Sequence, residues 1–384
     1  MTKRLAVIVT ISAMAFGVGV YSAPNDPISV AGCKVNGQPV VMFLDTGSGA
    51  TFLFRHAAER LGLKTTYSSS RETNSSSIPF GLTEDCIFTS GGIPAVVRLP
   101  VLDDYPGVPQ NFDGLVGWPS CSNFVFQLDP ELRAYGVYSN VTMDVIGWRK
   151  WKLVKDSALV EFDTSDGRRT MRIGIDSGSG HGVWLRSDRW REWRAKRLDA
   201  PATLEAGFSE SGALEVKEVL RARKIELGGI ILREIPVTTP DARIGAIFGQ
   251  CDAVLGLWAL SQLRIILDGK NSFIYTKPTS SATDELPRYP YNLLRATFAP
   301  NRATEDGLVA HVIQGGPAYQ AGIREGDLLL KVDVFNVTRW RSDPYFLPGR
   351  FWREPPGTKQ TLTLKHGDKV YETTVTLEEL PAVE

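Results

Sequence analysis

Cysteine and histidine are scarce in this sequence, with four of each among 384 residues. No two cysteines have the Cys-x-x-Cys spacing of zinc ribbons and thioredoxin-like sites. The histidines form no recognisable catalytic triad, and no Gly-x-Ser-x-Gly segment marks a serine hydrolase of the common type. The sequence therefore argues against metal-dependent, thiol-redox and serine-dependent chemistry, and we expect neither a metal nor another cofactor.

The sequence also has a formal net charge of zero at pH 7. Lys and Arg together number 43, and so do Asp and Glu. A chain with this balance has no electrostatic reason to select nucleic acid or an anionic surface as its main partner. The stretch 186–198 is locally basic, and we interpret it as the solvated face of a helix rather than a contact for anionic lipid or nucleic acid. We therefore expect no nucleic-acid partner.

Residues 1–22 have the pattern of a secretory signal peptide. Lys3 and Arg4 precede an apolar run over 5–20, and Ser22 offers an acceptable cleavage point. An uncleaved inner-membrane anchor is the alternative, although the run is short for a full span. We expect a periplasmic or secreted protein, and in such a compartment disulfides can form. The four cysteines allow three full pairings, and the sequence does not select one.

One stretch occurs twice in the chain. Residues 41–49 and 171–180 each run from apolar residues into Asp-Thr/Ser-Gly-Ser-Gly. In each copy a strand would carry an aspartate at its end, and the glycines would let the two copies approach closely. Asp45 and Asp176, brought face to face, cannot both be ionised, so they would share one proton. One carboxyl then acts as acid and the other as base, which suits activation of water and protonation of a leaving amide nitrogen.

The surroundings of the two copies also match, and this repetition is the stronger signal. Ten residues after each aspartate, at Arg55 and Arg186, a helical pattern opens. Later in each copy an Asp precedes apolar residues around a glycine, at 113–118 and 252–257. Sixteen residues beyond that Asp, each copy carries a Leu-Asp pair.

These features resemble the aspartic proteases in the form that carries two lobes on one polypeptide. The resemblance implies a mainly β protein with a two-lobed, aspartic-protease-like β-barrel fold. One lobe would occupy residues 24–140, here called the first repeat, and the other residues 141–277, the second repeat. Asp45 and Asp176 would be the catalytic residues, and the cleft between the lobes would bind an extended peptide. The neighbouring residues would support the dyad: Thr46, Gly47, Ser177 and Gly178.

The same resemblance implies a hairpin that closes over the substrate. Residues 81–100 have the pattern of two strands, with a turn at 90–92. Two-lobed members of the family usually carry a tyrosine on this hairpin, and none stands near the turn here. Because few residues separate the predicted signal from the first strand, we expect no N-terminal inhibitory pro-segment.

A polar, Pro- and Ser-rich stretch at 278–289 predicts a linker. Beyond it, the segment 315–328 contains Gly-Gly-Pro-Ala, Ala-Gly-Ile and Glu-Gly-Asp-Leu, so residues 290–384 resemble a PDZ domain of the bacterial type that accompanies exported proteases. Such a domain binds a C-terminal peptide as an added strand and holds the terminal carboxylate in a loop of backbone N–H groups. Residues 291–295 occupy about the place of that loop but lack the expected glycines. Peptide binding and a packing role therefore both stay open.

We thus predict an exported aspartic endopeptidase with a monomeric catalytic unit. It would act on peptides or unfolded proteins, and its PDZ domain would serve peptide recognition or regulation. The alternative is a catalytically inactive, protease-like protein that binds peptides. Both Asp-hydroxyl-Gly triplets are present, and a pure scaffold does not need paired carboxylates, which favours the enzyme.

Overall fold

Strands dominate the structure, a computed structural model, and the prediction of a mainly β protein is confirmed. The described residues are 15–20, 26–67, 80–90, 92–103, 111–141, 143–154, 157, 159–165, 167, 169–208, 214–239, 248–280, 288–301, 305–340 and 348–384. Helices in these ranges are short: Arg55–Arg60, Trp118–Cys121, Ser187–Ala195, Leu257–Leu260 and Pro317–Gln320, with a 3-10 helix at Pro348–Arg353.

A six-stranded sheet joins the two repeats. Its strand order is β1-β14-β13-β23-β24-β15. The strands are β1 (Ala15–Val20), β13 (Val125–Asp129), β14 (Ala134–Tyr138), β15 (Arg149–Lys152), β23 (Leu263–Asp268) and β24 (Phe273–Pro278). The strands β13 and β23, which end in the two repeated Leu-Asp pairs, lie antiparallel with Val125 opposite Asp268. The equal spacing seen in the sequence therefore corresponds to two adjacent strands at the junction of the repeats.

Only part of the predicted signal peptide is described. Its residues 15–20 form β1, an edge strand of the six-stranded sheet. Residues 1–14 and 21–22 lie outside the described ranges, so the signal stays a prediction. Within the part of the chain that is described, no helix is long and apolar enough to cross a membrane.

The first Asp motif lies in a seven-stranded sheet of order β2-β5-β12-β6-β11-β8-β7. Its strands are β2 (Ser29–Val30), β5 (Met42–Asp45), β6 (Phe52–Phe54), β7 (Thr65–Tyr67), β8 (Phe80–Thr83), β11 (Pro100–Leu102) and β12 (Gly114–Gly117). A four-stranded sheet of order β10-β9-β3-β4 lies in the same repeat, with β3 (Lys34–Val35), β4 (Gln38–Pro39), β9 (Cys86–Ser90) and β10 (Ile93–Val97). Asn36 and Gly37 have φ of 48° and 81°, as a two-residue hairpin turn requires, and they join β3 to β4.

The second Asp motif lies in another seven-stranded sheet, of order β16-β17-β22-β18-β21-β20-β19. Its strands are β16 (Val160–Ser165), β17 (Thr170–Ile175), β18 (Val183–Leu185), β19 (Thr203–Phe208), β20 (Leu214–Leu227), β21 (Ile230–Thr238) and β22 (Ala253–Leu255). In both repeats the strand before the motif pairs in parallel with the later strand that ends at the repeated glycine. That later strand pairs antiparallel with the strand after the motif loop. The two repeats therefore share one local topology around the aspartate.

Residues 288–384, called here the C-terminal segment, contain the last sheet. Its order is β25-β26-β27-β29-β30, with β28 paired to β27. The strands are β25 (Ala296–Ala299), β26 (Leu308–Val312), β27 (Leu328–Val332), β28 (Phe335–Asn336), β29 (Lys359–His366) and β30 (Lys369–Thr376). The short helix Pro317–Gln320 lies between β26 and β27.

The apolar core of the second repeat continues into the C-terminal segment. Buried Val183 and Leu220 of the repeat belong to the same cluster as buried Leu294 and Trp352 of the segment. The same cluster includes Leu44 and Trp118 of the first repeat. That repeat also has a smaller cluster of its own, around which Cys33, Cys86 and Cys121 lie. All four cysteines, which are among the described residues, are free thiols. The large cluster therefore spans both repeats and the C-terminal segment, whereas the smaller one lies within the first repeat.

Candidate active site

The two motif loops meet through their hydroxyl residues. Thr46 Oγ1 donates to the carbonyl oxygen of Ile175 at 2.8 Å, and Ser177 Oγ donates to that of Leu44 at 2.9 Å. In return, the backbone N–H of Thr46 donates to Ser177 Oγ at 3.1 Å, and that of Ser177 donates to Thr46 Oγ1 at 3.0 Å. Both side chains are 1% exposed. These four reciprocal bonds join the loops directly, where water cannot compete for them.

The glycine of each loop lies against the carboxyl group of the other. A Cβ added to Gly178 would lie 2.5 Å from Asp45 Cγ, and one added to Gly47 would lie 2.7 Å from Asp176 Cγ. Each carboxylate also accepts the N–H two residues ahead, at 2.9 Å for Asp45 Oδ1 and 3.0 Å for Asp176 Oδ1. The sequence predicted these four residues to belong to one site, and the structure brings them together. Any residue larger than glycine would displace a carboxyl group.

The electrostatics of the pair favour a shared proton. Asp176 is 8% exposed, whereas Asp45 is partly exposed. Burial raises the pKa of Asp176 well above its usual value, and the nearby charge of Asp45 raises it further. The N–H groups of Gly178 and Ser179 stabilise the ionised form and oppose that shift. The pair can therefore hold one proton at a pH where a solvated carboxyl is ionised, so that an acid and a base stand side by side.

An aspartate later in each repeat supports the strand that carries the motif. Asp113 Oδ2 accepts the N–H of Val41 at 2.8 Å, and Asp252 Oδ2 accepts the N–H of Arg172 at 3.0 Å. Each of these N–H groups lies four residues before its motif aspartate. The repeat pattern indicated both aspartates, but sequence reasoning gave them no role. The structure shows that each one positions the strand carrying its motif aspartate.

Arginines from the following helices neutralise these two supporting aspartates. Arg60 lies 2.6 Å from Asp113, and Arg189 lies 2.8 Å from Asp252. Arg186 adds a second contact to Asp252 at 3.1 Å. Among the residues that the structure describes, the support beneath the second motif therefore carries one more cation than the support beneath the first.

The two motif loops differ by one residue in length. Leu115 and Val254 hold equivalent positions in the two repeats, but Leu115 lies opposite Phe52 and Val254 lies opposite Trp184. Trp184 is one position further from Asp176 than Phe52 is from Asp45. The prediction that Arg55 and Arg186 hold equivalent positions at the start of a helix is therefore wrong by one residue. A helical stretch follows each motif as expected, but Arg55 is the first residue of its helix while Arg186 precedes its own.

His181 lies on the second motif loop beside Glu205. Its Nδ1 is 3.5 Å from Glu205 Oε2, and its ring centroid is 5.4 Å from that of Trp184. Burial lowers the pKa of His181, Glu205 opposes that effect, and the cations Lys217 and Arg353 strengthen it. The structure thus places His181 towards the C-terminal segment, which contributes Arg353.

The hairpin predicted to cover the substrate is present as β9 and β10, although its residue 91 is not described. The strand β10 forms an edge of its sheet, and Ile93 and Val96 are 52% and 73% exposed. Its closure over a substrate stays a prediction. Across the described ranges, no group of three or more His, Cys, Asp or Glu side chains could hold a metal ion.

Residues 31–78 match a family model described as aspartyl protease. The matched stretch contains Asp45, Thr46 and Gly47 and ends well before the second motif. No curated protein matches the chain. The family match supports an aspartyl-protease-like family and a general protease function.

Proposed function

We propose that this protein is an exported aspartic endopeptidase that hydrolyses peptide bonds with a water molecule activated between Asp45 and Asp176. The observation that carries the proposal is the reciprocal arrangement of the two loops. Thr46 and Ser177 exchange four hydrogen bonds, and each carboxyl lies over the glycine of the other loop. A scaffold without catalysis has no use for two carboxyl groups held at such short range.

The unequal burial of the two carboxyl groups suggests which one acts as the acid and which as the base. Because Asp176 is the more buried and its pKa is raised, we assign the shared proton to it and the role of ionised base to Asp45. Asp45 takes a proton from the water, whose oxygen attacks the carbonyl carbon of the scissile peptide bond. Asp176 donates its proton to the carbonyl oxygen as the tetrahedral intermediate forms. Collapse of the intermediate then breaks the C–N bond. The leaving nitrogen takes the proton from Asp45, and a hydroxyl of the intermediate returns a proton to Asp176 as the C=O bond re-forms.

The residues beside the dyad keep this geometry. Thr46 and Ser177 fix the two loops, and the N–H groups of Gly47 and Gly178 hold each carboxylate in one orientation. Because the groups are already placed before substrate arrives, little reorganisation is needed during the reaction. The substrate is an extended peptide or an unfolded protein, bound between a lobe at residues 24–140 and a lobe at 141–277. The hairpin of β9 and β10 covers it.

The remaining features complete the proposal. Residues 1–22 direct the chain to the periplasm or outside the cell, and residues 278–289 link the catalytic part to a PDZ-like domain at 290–384. One copy of the chain supplies both aspartates, so the catalytic unit is a monomer. The family match at residues 31–78 supports the protease part of this proposal.

The test is hydrolysis of a mixed peptide library by the full chain at about pH 5, where one proton on the dyad is expected. Wild type would be compared with Asp45→Asn, Asp176→Asn and the control Asp163→Asn, whose side chain is exposed on β16. Loss of about a thousandfold or more in both dyad variants, with the control unchanged, is the expected result. Substantial hydrolysis in either dyad variant would overturn the proposal.

The inactive, peptide-binding alternative gives a different result in the same experiment. Wild type would cleave no peptide at any pH in the assay but would still retain peptides in a pull-down followed by mass spectrometry. Comparable retention by Asp45→Asn and Asp176→Asn would then show that the carboxyl groups are not needed for binding.

A further inference from the structure

The loop at residues 291–295 is the part of the C-terminal segment expected to hold the carboxylate of a peptide ligand. A carboxylate-binding loop needs free backbone N–H groups. Three of the N–H groups here already have acceptors within the segment. Those of Tyr291, Leu293 and Leu294 donate to Tyr289 O, Trp352 O and Asn292 Oδ1, at 2.9, 2.8 and 3.1 Å. These donors cannot also bind a carboxylate without breaking a bond.

Side chains of the same loop reach into the second repeat. Asn292 Nδ2 donates to the carbonyl oxygen of Leu204 at 2.9 Å, and Arg295 Nε donates to that of Ala202 at 3.0 Å. Thr203 returns a bond from its hydroxyl to the carbonyl oxygen of Asn292. Thr203 is fully buried and Asn292 is 6% exposed. The loop is therefore hydrogen-bonded to the residues at the start of β19, and these bonds are shielded from water.

The last residues of the sequence make a second contact with the same repeat. The N–H of Val383 donates to Arg221 O, and the N–H of Arg223 donates to Val383 O, both at 2.7 Å. This is a parallel bridge to β20, whose pairing with β19 ends at Val219. Leu380 and Val383 are both buried. The tail therefore satisfies a stretch of strand edge that β19 leaves unpaired.

From these contacts we infer that the C-terminal segment takes the second repeat of its own chain as its ligand, with the loop at 291–295 holding β19 and the tail holding β20. It is a fixed clamp and not a receptor for the C-termini of other proteins. The inference rests on the PDZ-like domain of the proposed function but does not require that the protein be an active peptidase.

The clamp also reaches the loop that carries Asp176. Glu205, the neighbour of Leu204 on β19, accepts a hydrogen bond from Tyr289 OH at 2.6 Å and lies beside His181. Tyr289 also packs edge-on against the ring of Trp258, and the backbone N–H of Trp258 donates to the carbonyl oxygen of His181 at 3.1 Å. Tyr289 is therefore a positioning residue, which acts on the catalytic loop through Glu205 and Trp258.

Hydrogen–deuterium exchange of the full chain tests the clamp without any measurement of activity. Thr203→Val removes one hydroxyl with little change in volume, and Thr203→Ser keeps that hydroxyl. We expect amides in 204–208 to exchange about tenfold faster in Thr203→Val than in wild type, because a buried bond that holds the strand is lost. Thr203→Ser should exchange like wild type in this stretch, and so should the control Thr363→Val, a half-buried threonine on β29 that is bonded to Glu372 and not to the second repeat. Equal exchange in all four proteins would overturn the inference.

A second measurement needs only wild-type protein, so it remains decisive if the valine variant does not fold. Fluorescence anisotropy would follow a labelled octapeptide ending in a free valine carboxylate, beside the same peptide with a C-terminal amide. We expect no carboxylate-dependent binding up to about 1 mM. Binding of the free acid with a Kd below about 100 µM, at least about tenfold tighter than the amide, would show an open receptor and contradict the clamp.

Discussion

The two Asp loops make the same hydrogen bonds but lie in different surroundings. The first loop carries the partly exposed Asp45, and Leu44 before it packs in the large cluster that spans both repeats. The second loop carries the buried Asp176 and lies in a repeat whose core continues into the C-terminal segment. Symmetric bonds thus align the two carboxyl groups, and asymmetric burial gives them different proton affinities. A dyad needs both properties, because one group must act as acid while the other acts as base.

The supporting aspartates, Asp113 and Asp252, also lie in different surroundings. One arginine pairs with Asp113 beneath the first loop, and two pair with Asp252 beneath the second. The second loop is also connected through His181 and Glu205 to the C-terminal segment. We therefore expect substitutions within the dyad to have equal effects in both repeats, and substitutions in the supports to have larger effects in the second.

The largest effect is expected from adding a methyl group to either motif glycine. In Gly47→Ala and Gly178→Ala the new Cβ would overlap the carboxyl of Asp176 or Asp45, at 2.7 and 2.5 Å from Cγ. Displacement of a reacting carboxyl by this amount should lower kcat/KM by about a thousandfold in both variants. The control is Gly207→Ala, where a Cβ meets nothing within 4 Å. A strong effect in one repeat alone would contradict the functional equivalence of the loops.

The hydroxyls that join the loops should matter for stability. Thr46→Val and Ser177→Ala each leave buried backbone groups without a partner, so each should lower the free energy of unfolding by about 2 kcal/mol. The double variant should lose less than the sum, because the two hydroxyls share one network. Urea unfolding measures all three proteins, with Thr46→Ser as the control that keeps the hydroxyl. Strict additivity would show that the two hydroxyls act independently.

A smaller and unequal effect is expected from the supporting aspartates. Asp252→Asn leaves two arginines facing a neutral group, whereas Asp113→Asn leaves one, and that one, Arg60, is about half exposed. The loss of unfolding free energy should be about 2 kcal/mol for the first and below about 1 kcal/mol for the second. Thermal or urea unfolding compares them. Equal losses would remove the proposed difference between the two supports.

The smallest effect concerns pH. Burial lowers the pKa of His181, Lys217 and Arg353 lower it further, and Glu205 opposes them. The unfolded chain therefore binds this proton more readily, so the contribution to stability is complete above about pH 6.5, the ordinary histidine pKa, and is lost as the pH falls below that value. His181→Gln should unfold with less pH dependence than wild type between about pH 5 and 6.5. Identical pH dependence would show that His181 does not contribute.

Much of the site could be predicted from the sequence because its parts are local. The strand, the aspartate, the hydroxyl and the glycine are adjacent residues, and their repetition at 45 and 176 indicated that they would meet. The hairpin turn at Asn36 and Gly37 was predictable for the same reason, since both residues tolerate positive φ.

The contacts that sequence reasoning missed join residues far apart in the chain. Asp113 accepts the N–H of Val41 across 72 positions, and Asn292 donates to Leu204 across 88. A single aspartate or asparagine does not reveal which backbone group it will meet, because that depends on how complete sheets pack. The one-residue difference between the loops was hidden likewise, since equal spacing in sequence does not fix register in a sheet.

The central claim is that Asp45 and Asp176 share one proton, and the pH profile of kcat/KM on a cleaved peptide tests it most directly. We predict a bell-shaped profile between about pH 3 and 8 whose alkaline limb lies above the usual carboxyl range, because burial and Asp45 raise the pKa of Asp176. Activity that rises once and stays level to the alkaline end would show that no shared proton is required, and would contradict the account.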